Sequence, residues 1–448
     1  MEVHVIGAGL AGSEAAWQLA RRGCRVRLVE MRPGVMTPAH RTGHAAEMVC
    51  SNSFKSDDPL SATGILKAEL RRMGSLVLDC AEAARVPAGL SLAVDREVFS
   101  REVSARLRAH PLIRWEEREA TAPEPQVPTI IASGPLSSAA LSAWIAAACG
   151  DESLHFYDAI APIVLADSID TRIAFRASRY GKGAADFLNC PMDAIQYGRF
   201  LDALLAAERA DLHDFDTPYF EACLPIEVMA ERGRETLRFG PMKPVGLDDP
   251  ATGRWPHAVV QLRQDTLAGD HYNLVGFQTR LKWGAQREVF RMIPGLEQAE
   301  FVRYGSIHRN TYVCAPRMLD ATQALRGHPG RWIAGQLSGV EGYLESAASG
   351  LSAAVAAHRW VRGLAPQALP RETMLGALLH YLAHAEAERF APVNAMLGLL
   401  PGLPEDAFDP RAARRLHGAR GVKRAKAEAL RERARVALER HLAEGEAT

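Results

Sequence analysis

A short β-branched run, Val3-His4-Val5-Ile6, leads into Gly7, Gly9 and Gly12 and then into an alanine-rich stretch. Strand, glycine turn and helix in that order is the feature that most restricts what the chain can become. In a G-x-G-x-x-G turn the first glycine permits the tight bend and the second lets backbone approach a pyrophosphate. The third lets helix and strand pack closely, with the diphosphate at the helix N-terminus. Residues Gly7, Ala8, Gly9, Leu10, Ala11 and Gly12 are therefore assigned to a dinucleotide. Such a motif is weak alone, and a glycine turn without a ligand is the competing reading. Cys24 to Glu30 adds weight, because it reads as a second strand ending in an acid eighteen residues beyond Gly12. That carboxylate stands where a ribose hydroxyl is bound. Arg32, just beyond it, is assigned to the same site.

Two later stretches belong to the same architecture. Thr129 to Pro135 reads as a buried strand ending in a small-residue turn. In two-dinucleotide-binding folds such a strand returns to the first sheet beside the cofactor, which makes Ala132 and Gly134 candidate contacts. An ordinary strand and turn is the alternative. Far downstream, Arg331 to Tyr343 gives a strand and a glycine-rich turn, and an alanine-rich helix follows from roughly 345 to 361. Gly335, Gln336, Gly339, Gly342 and Tyr343 are assigned to the second half of a flavin site, with the helix N-terminus facing the isoalloxazine and ribityl chain. FAD fits this pattern better than NAD.

The fold class is thus α/β, a Rossmann-like two-dinucleotide-binding FAD domain that is discontinuous in sequence. Its parts are placed at residues 1–155 and 321–370. An inserted α+β domain, richer in aromatics and glycine–proline turns, occupies 156–320. A helical and basic C-terminal segment occupies 371–448. Helical periodicity is also read from Gly64 to Ala84 and around Asp95 to Ala109.

Composition narrows the function classes. A chain of 448 residues with 48% hydrophobic content supports two or three domains and a sizeable core. No apolar run is long enough to span a membrane. A first strand beginning at residue 3 leaves no room for a signal or transit peptide, so a cytoplasmic location is expected. Seven cysteines, an odd number with no C-x-x-C pair, point to reduced thiols in a cytosol and away from a disulfide or zinc framework. His40 and His44 are four apart, but Gly43 between them argues for a solvated loop. No metal is expected.

The 53 basic and 53 acidic residues balance, so only regional charge is informative. Arg172 to Lys182 interleaves Arg176, Arg179 and Lys182 with Phe175 and Tyr180, a composition suited to RNA, where bases stack and phosphates need countercharge. Between Arg411 and Arg440, eleven Lys and Arg face three Glu, with Lys423 and Arg424 at the centre. A solvated helix face is the competing reading in both places.

Taken together, Val5 to Gly12, Cys50-Ser51-Asn52-Ser53, Ala222-Cys223-Leu224-Pro225 and Ala334 to Gly350 resemble the folate- and FAD-dependent tRNA (uracil-5-)-methyltransferases of bacteria. The resemblance runs from residue 1 to at least 360. The Ala-Gly-Gln-x-x-Gly-x-x-Gly-Tyr pattern at 334–343 is shared with the larger tRNA wobble-uridine carboxymethylaminomethyl-modifying flavoprotein. Cys50 and Cys223 in their contexts, and the shorter chain, separate the two.

The chemistry this resemblance implies suits the residues. Uracil C5 is a poor nucleophile until a group adds to C6, and a thiolate is a natural adduct former. By resemblance, Cys223 attacks C6 and Cys50 assists proton removal from C5, or the two exchange roles. Methylenetetrahydrofolate passes its one-carbon unit to reduced FAD, whose hydride completes the methyl group, and NAD(P)H re-reduces the flavin. The product is ribothymidine in the T-loop of tRNA. Trp283, His308 and Arg309 are candidates for the folate, against a reading of ordinary packing. Arg176, Arg179, Lys182, Lys423 and Arg424 are candidates for tRNA. A small-molecule flavin oxidoreductase and a tRNA-binding flavoprotein without turnover remain as alternatives.

Overall fold

In the computed structural model, which describes residues 1–150, 153–181, 183–210, 224–404 and 406–446, the opening motif forms strand Glu2–Ile6, a turn, and helix Leu10–Arg21. The turn needs its glycines for two different reasons. Gly7 has φ +95, and a Cβ there would stand 2.6 Å from the Ala132 carbonyl oxygen. A Cβ on Gly12 would lie 1.8 Å from the carbonyl oxygen of Gly7, so the helix crosses the strand at a distance only hydrogen permits.

Glu2–Ile6 is the central strand of a five-stranded sheet in the order Arg331–Ile333, Thr129–Ile131, Glu2–Ile6, Arg25–Glu30, Ile113–Glu117. All four pairings are parallel. One strand of this sheet is therefore contributed from nearly 200 residues downstream of its neighbour. Parallel strands need crossovers on the sheet faces. Helix Leu10–Arg21 supplies the first, and helix Tyr343–Val361, which follows the last strand, packs on it. Their contact is close because a Cβ on Gly350 would stand 2.1 Å from the Ala11 carbonyl oxygen.

Between the last two strands of that sheet in sequence lies a different structure. Six strands, Phe175–Ala177, Phe187–Met192, Ala258–Gln264, His271–Leu274, Ile163–Leu165 and Phe301–Arg303, form an antiparallel sheet. Helices Ala194–Ala206 and Trp283–Phe290 cover it over a core holding Phe200, Phe277 and Phe290. An antiparallel ribbon, Ser153–Ile160 against Ser306–Val313, carries the chain out to this region and back.

Two stretches differ from the sequence reading. The periodicity from Gly64 to Ala84 divides into helices Ala62–Arg72 and Leu76–Ala83. Gly74, at φ +70, ends the first, and the Ser75 hydroxyl caps the second by accepting from the Leu78 N–H. The C-terminal part is helical at Met374–His384 and Pro410–Glu446, with an irregular stretch between. Leu430, Ala434 and Leu438 enter the same core as the parallel sheet, and Arg72 pairs with Glu439 at 2.7 Å. Among the described residues, no helix is long and apolar enough to cross a membrane.

Candidate active site

A cavity of about 460 Å³, in the usual range for small-molecule sites, opens at the C-terminal ends of the parallel strands. Its walls come from both halves of the sheet: Gly7, Gly9, Leu10 and Ala11 on one side, Gly335, Gln336, Gly342 and Tyr343 on the other. Ala132 and Gly134 line it between them, and Glu30 and Arg32 close one end. Three assigned positions do not line it. Ala8 acts behind the wall, its N–H donating to Glu30 Oε2 at 2.8 Å. Gly12 serves helix packing. Gly339 faces the C-terminal segment, where an added Cβ would meet the Phe390 ring at 2.5 Å.

Glu30 is held as a carboxylate. Burial works to raise its pKa, but the Arg32 guanidinium, at 2.9 Å, and the Ala8 N–H outweigh it and keep it below the usual range. Arg32 also reaches Glu47 at 3.2 Å, so one buried arginine ties two acids at this end. Burial and Arg32 pull the neighbouring His40 imidazole down to about 4, which leaves the ring neutral near neutrality.

Cys50 lines the same cavity. The Tyr343 hydroxyl accepts from the Cys50 N–H at 2.7 Å and from the Ser51 N–H at 3.2 Å, and stands 3.0 Å from Cys50 Sγ. With two donors directed at its oxygen, its own proton is left for the sulfur, where it stabilises negative charge. Burial and Cys50 push the phenol well above its ordinary pKa, so it stays a neutral donor.

The cysteine loop is fixed from below by groups that carry no sequence motif. Lys55, in the left-handed region at φ +64, pairs its Nζ with Glu345 Oε1 at 3.0 Å. Glu345 is fully buried at the start of helix Tyr343–Val361 and also accepts from the Ala395 N–H. Buried Lys67 donates to the Ser56 carbonyl at 2.6 Å, and burial lowers its ammonium to about 8. Asn52, fully buried, donates to the carbonyls of Val94 and Gln264 and accepts from Arg263 Nε at 2.8 Å. It thereby joins the Cys50 loop to strand Ala258–Gln264 of the antiparallel sheet. Periodicity and motif spacing carry no signal for these long-range partners.

The remaining candidates lie elsewhere. Trp283 opens onto a second hollow with Arg280, Lys282 and Ser306, and stacks on Tyr304 at 5.7 Å. His308 and Arg309 are on strand Ser306–Val313. Arg176 donates to the Tyr272 hydroxyl, and Arg179 spends its guanidinium on the carbonyls of Lys243 and Val245 and on Gln261. Lys423 and Arg424 are exposed on helix Pro410–Glu446, with Arg424 paired to Glu428. Cys223 and Lys182 lie outside the described residues. Of the six described cysteines, all but Cys50 are buried. Among the described residues, no group of three or more His, Cys, Asp or Glu is placed to hold a metal ion.

Comparison with known proteins places this geometry. The family model described as glucose inhibited division protein A matches residues 2–365. A protein of Desulforudis audaxviator named methylenetetrahydrofolate–tRNA-(uracil-5-)-methyltransferase TrmFO is 55% identical, over 94% of this chain and 97% of its own. The protein of the same name from Moorella thermoacetica is 56% identical, over 90% of this chain and 92% of its own. The structure of Aquifex aeolicus GidA in its form II crystal shares the fold, with a TM-score of 0.67 at 15% identity, covering 98% of this chain and 73% of that one.

Proposed function

The chain belongs to the glucose inhibited division protein A family, and we propose that it is a methylenetetrahydrofolate- and FAD-dependent tRNA (uracil-5-)-methyltransferase. It forms 5-methyluridine at U54 in the T-loop, in the cytoplasm, with NAD(P)H as reductant. The observation that carries this reading is the position of Cys50. A thiol with a proton donor on its sulfur opens into the same cavity as Gly9 and Gly335. Relatives sharing more than half their residues with this chain, over nearly its whole length, carry that activity in their names.

The residues present fit FAD. A Cβ on Gly9 meets nothing within 4 Å, so the turn leaves open space in front of the N-terminus of helix Leu10–Arg21. No side chain caps that helix, which leaves backbone N–H groups for a diphosphate. Glu30 is an ionised acceptor for a ribose hydroxyl, and Gly335 to Tyr343 would hold the flavin end. When bound, FAD supplies reducing electrons and carries the one-carbon unit to the base.

The chain's own groups do the rest. Tyr343 fixes the rotamer of Cys50 and directs its hydroxyl proton at the sulfur, which favours the thiolate. Cys223 adds to C6, and Cys50 takes the proton from uracil C5 once C5 has bonded to the one-carbon unit. Exchange of these two roles is the alternative that the resemblance leaves open. The proposed division places this chemistry between a discontinuous FAD domain, 1–155 and 321–370, and the inserted domain, 156–320. Residues 371–448 add the basic helix for tRNA.

Covalent capture tests the thiol chemistry. A tRNA substituted with 5-fluorouracil cannot lose its C5 substituent as a proton, so the wild-type protein is expected to form a stable adduct with it. Cys223→Ala is expected to abolish the adduct. An adduct undiminished in Cys223→Ala and lost in Cys50→Ala reverses the two roles, and no adduct in any form counts against thiolate addition.

A further inference from the structure

Arg263 enters the site described so far only as a partner of Asn52, yet it is placed to act there itself. It lines the cavity from strand Ala258–Gln264 and is 9% exposed. Its Nε donates to Asn52 Oδ1 at 2.8 Å, two residues along from Cys50. That is the one hydrogen bond its side chain makes among the described residues, so the two terminal nitrogens of the fork have no protein partner there. The acid in its field, Asp265, is paired with Arg96 at 2.9 Å. The guanidinium is thus held at one corner, with its other two corners open to the cavity and free of protein partners among the described residues, which leaves them to a ligand.

We propose that Arg263 is a catalytic residue that donates hydrogen bonds to the C4 oxygen of the target uracil and stabilises the negative charge formed there. The inference rests on the functional reading above. When a thiolate adds to C6, the Sγ–C6 bond forms, the C5=C6 π bond breaks, and the electron pair settles through C5 onto the C4 oxygen. Attack of C5 on the one-carbon electrophile derived from methylenetetrahydrofolate returns that pair and restores the C4 carbonyl. The C5 proton then passes to the base, the carrier leaves the one-carbon unit as an exocyclic C5 methylene forms, and a hydride, which reduced FAD would supply, completes the methyl group as the thiolate leaves C6. The C4 oxygen is thus more negative in the adduct than in the free base, and a donor fixed against it accelerates the addition more than it tightens binding. Burial lowers the guanidinium to about 10, which still leaves it cationic near neutrality. The hydrogen bond that Asn52 Oδ1 accepts from Nε sets the angle of the fork, which makes Asn52 a positioning residue.

The test uses the FAD-loaded protein, methylenetetrahydrofolate, NADPH and tRNA transcripts carrying uridine or 4-thiouridine at the target. Arg263→Gln is expected to lower kcat by about 10²–10³, the usual loss for one oxyanion donor. KM for tRNA should stay within about twofold, with flavin content and reduction potential unchanged. Arg263→Lys is expected to recover part of the loss. Exchange of the C4 oxygen for sulfur is expected to slow the wild type markedly and Arg263→Gln little further. If Arg263→Gln does not fold, Arg263→Lys and the wild-type response to 4-thiouridine carry the test. A loss confined to KM assigns the arginine to the RNA backbone and overturns the proposal. A shifted flavin potential with kcat retained assigns it to the cofactor, as does an equal thio effect in both proteins, and each overturns it too. A wild type that transfers no methyl group overturns the functional reading itself, which is a separate result.

Discussion

Gly12→Ala is expected to prevent stable folding of the parallel-sheet half, whereas Gly9→Ala should give a folded protein that holds no flavin. The two glycines belong to one motif but meet different surroundings. The added methyl at residue 12 would lie 1.8 Å from the Gly7 carbonyl oxygen, and the obstacle is backbone, which cannot rotate away. Relieving it means lifting helix Leu10–Arg21 off strand Glu2–Ile6 and off Gly350, the contact at the centre of the core. Overpacking with a movable neighbour costs about 1–3 kcal/mol, and this case lies above that range, within reach of the ~5–15 kcal/mol that holds a domain folded. Gly9 has φ −68 and open space around its Cβ, so alanine is sterically acceptable in the protein alone. The methyl then occupies the space a pyrophosphate needs. Thermal unfolding and flavin absorbance of the two purified variants separate the outcomes. Equal folding, or flavin retained in Gly9→Ala, would sink the assignment of the turn.

Cys50→Ala carries the second large effect. It is expected to reduce methyl transfer by about 10²–10⁴, the range for loss of a positioned acid–base group, with fold, flavin content and tRNA affinity kept. Cys50 contributes little packing that alanine does not, since its sulfur faces the cavity. Tyr343→Phe makes a graded companion. It removes the acceptor of the Cys50 and Ser51 N–H groups and the donor to Sγ. Unsatisfied buried donors cost about 1–3 kcal/mol, so the loop loosens, and a roughly 10–100-fold fall in kcat is expected, about one decade per 1.4 kcal/mol. If both variants turned over at the wild-type rate, the cavity thiol would have no role in the reaction.

Much of the fold could be read from the sequence because its signals are local. Three glycines and an acid at fixed spacing specify a turn, a helix and the end of the next strand. Arg331 to Tyr343 repeats that grammar far downstream, and the two halves meet in one sheet. Sequence alone did not place the groups that support them. Glu345 looks like one acid in an alanine-rich helix, yet it is buried and ties Lys55 to Ala395. Gly339 sits within the second glycine-rich turn but packs on Phe390, a partner fifty-one residues away that no spacing rule encodes. Arg179 reads as countercharge for phosphate, and its guanidinium instead satisfies carbonyls of a neighbouring loop. The break at Gly74 follows ordinary rules for caps, since a glycine in the left-handed region followed by serine ends one helix and starts another. Arg263 and Asn52 come together only because the antiparallel sheet is docked beside the Cys50 loop, a tertiary event with no local trace.

The central claim is that the methyl carbon comes from folate and reaches uracil C5 through a flavoprotein with a cavity thiol. The direct measurement is transfer of labelled carbon from methylenetetrahydrofolate to an unmodified tRNA transcript by the yellow, FAD-loaded protein with NADPH, followed by nucleoside analysis. The account predicts label in 5-methyluridine at position 54, with no transfer when folate is omitted, when S-adenosylmethionine replaces it, or when the target is cytidine. Flavin bleached by a small molecule with no label entering RNA, or label found at the wobble uridine, would contradict it.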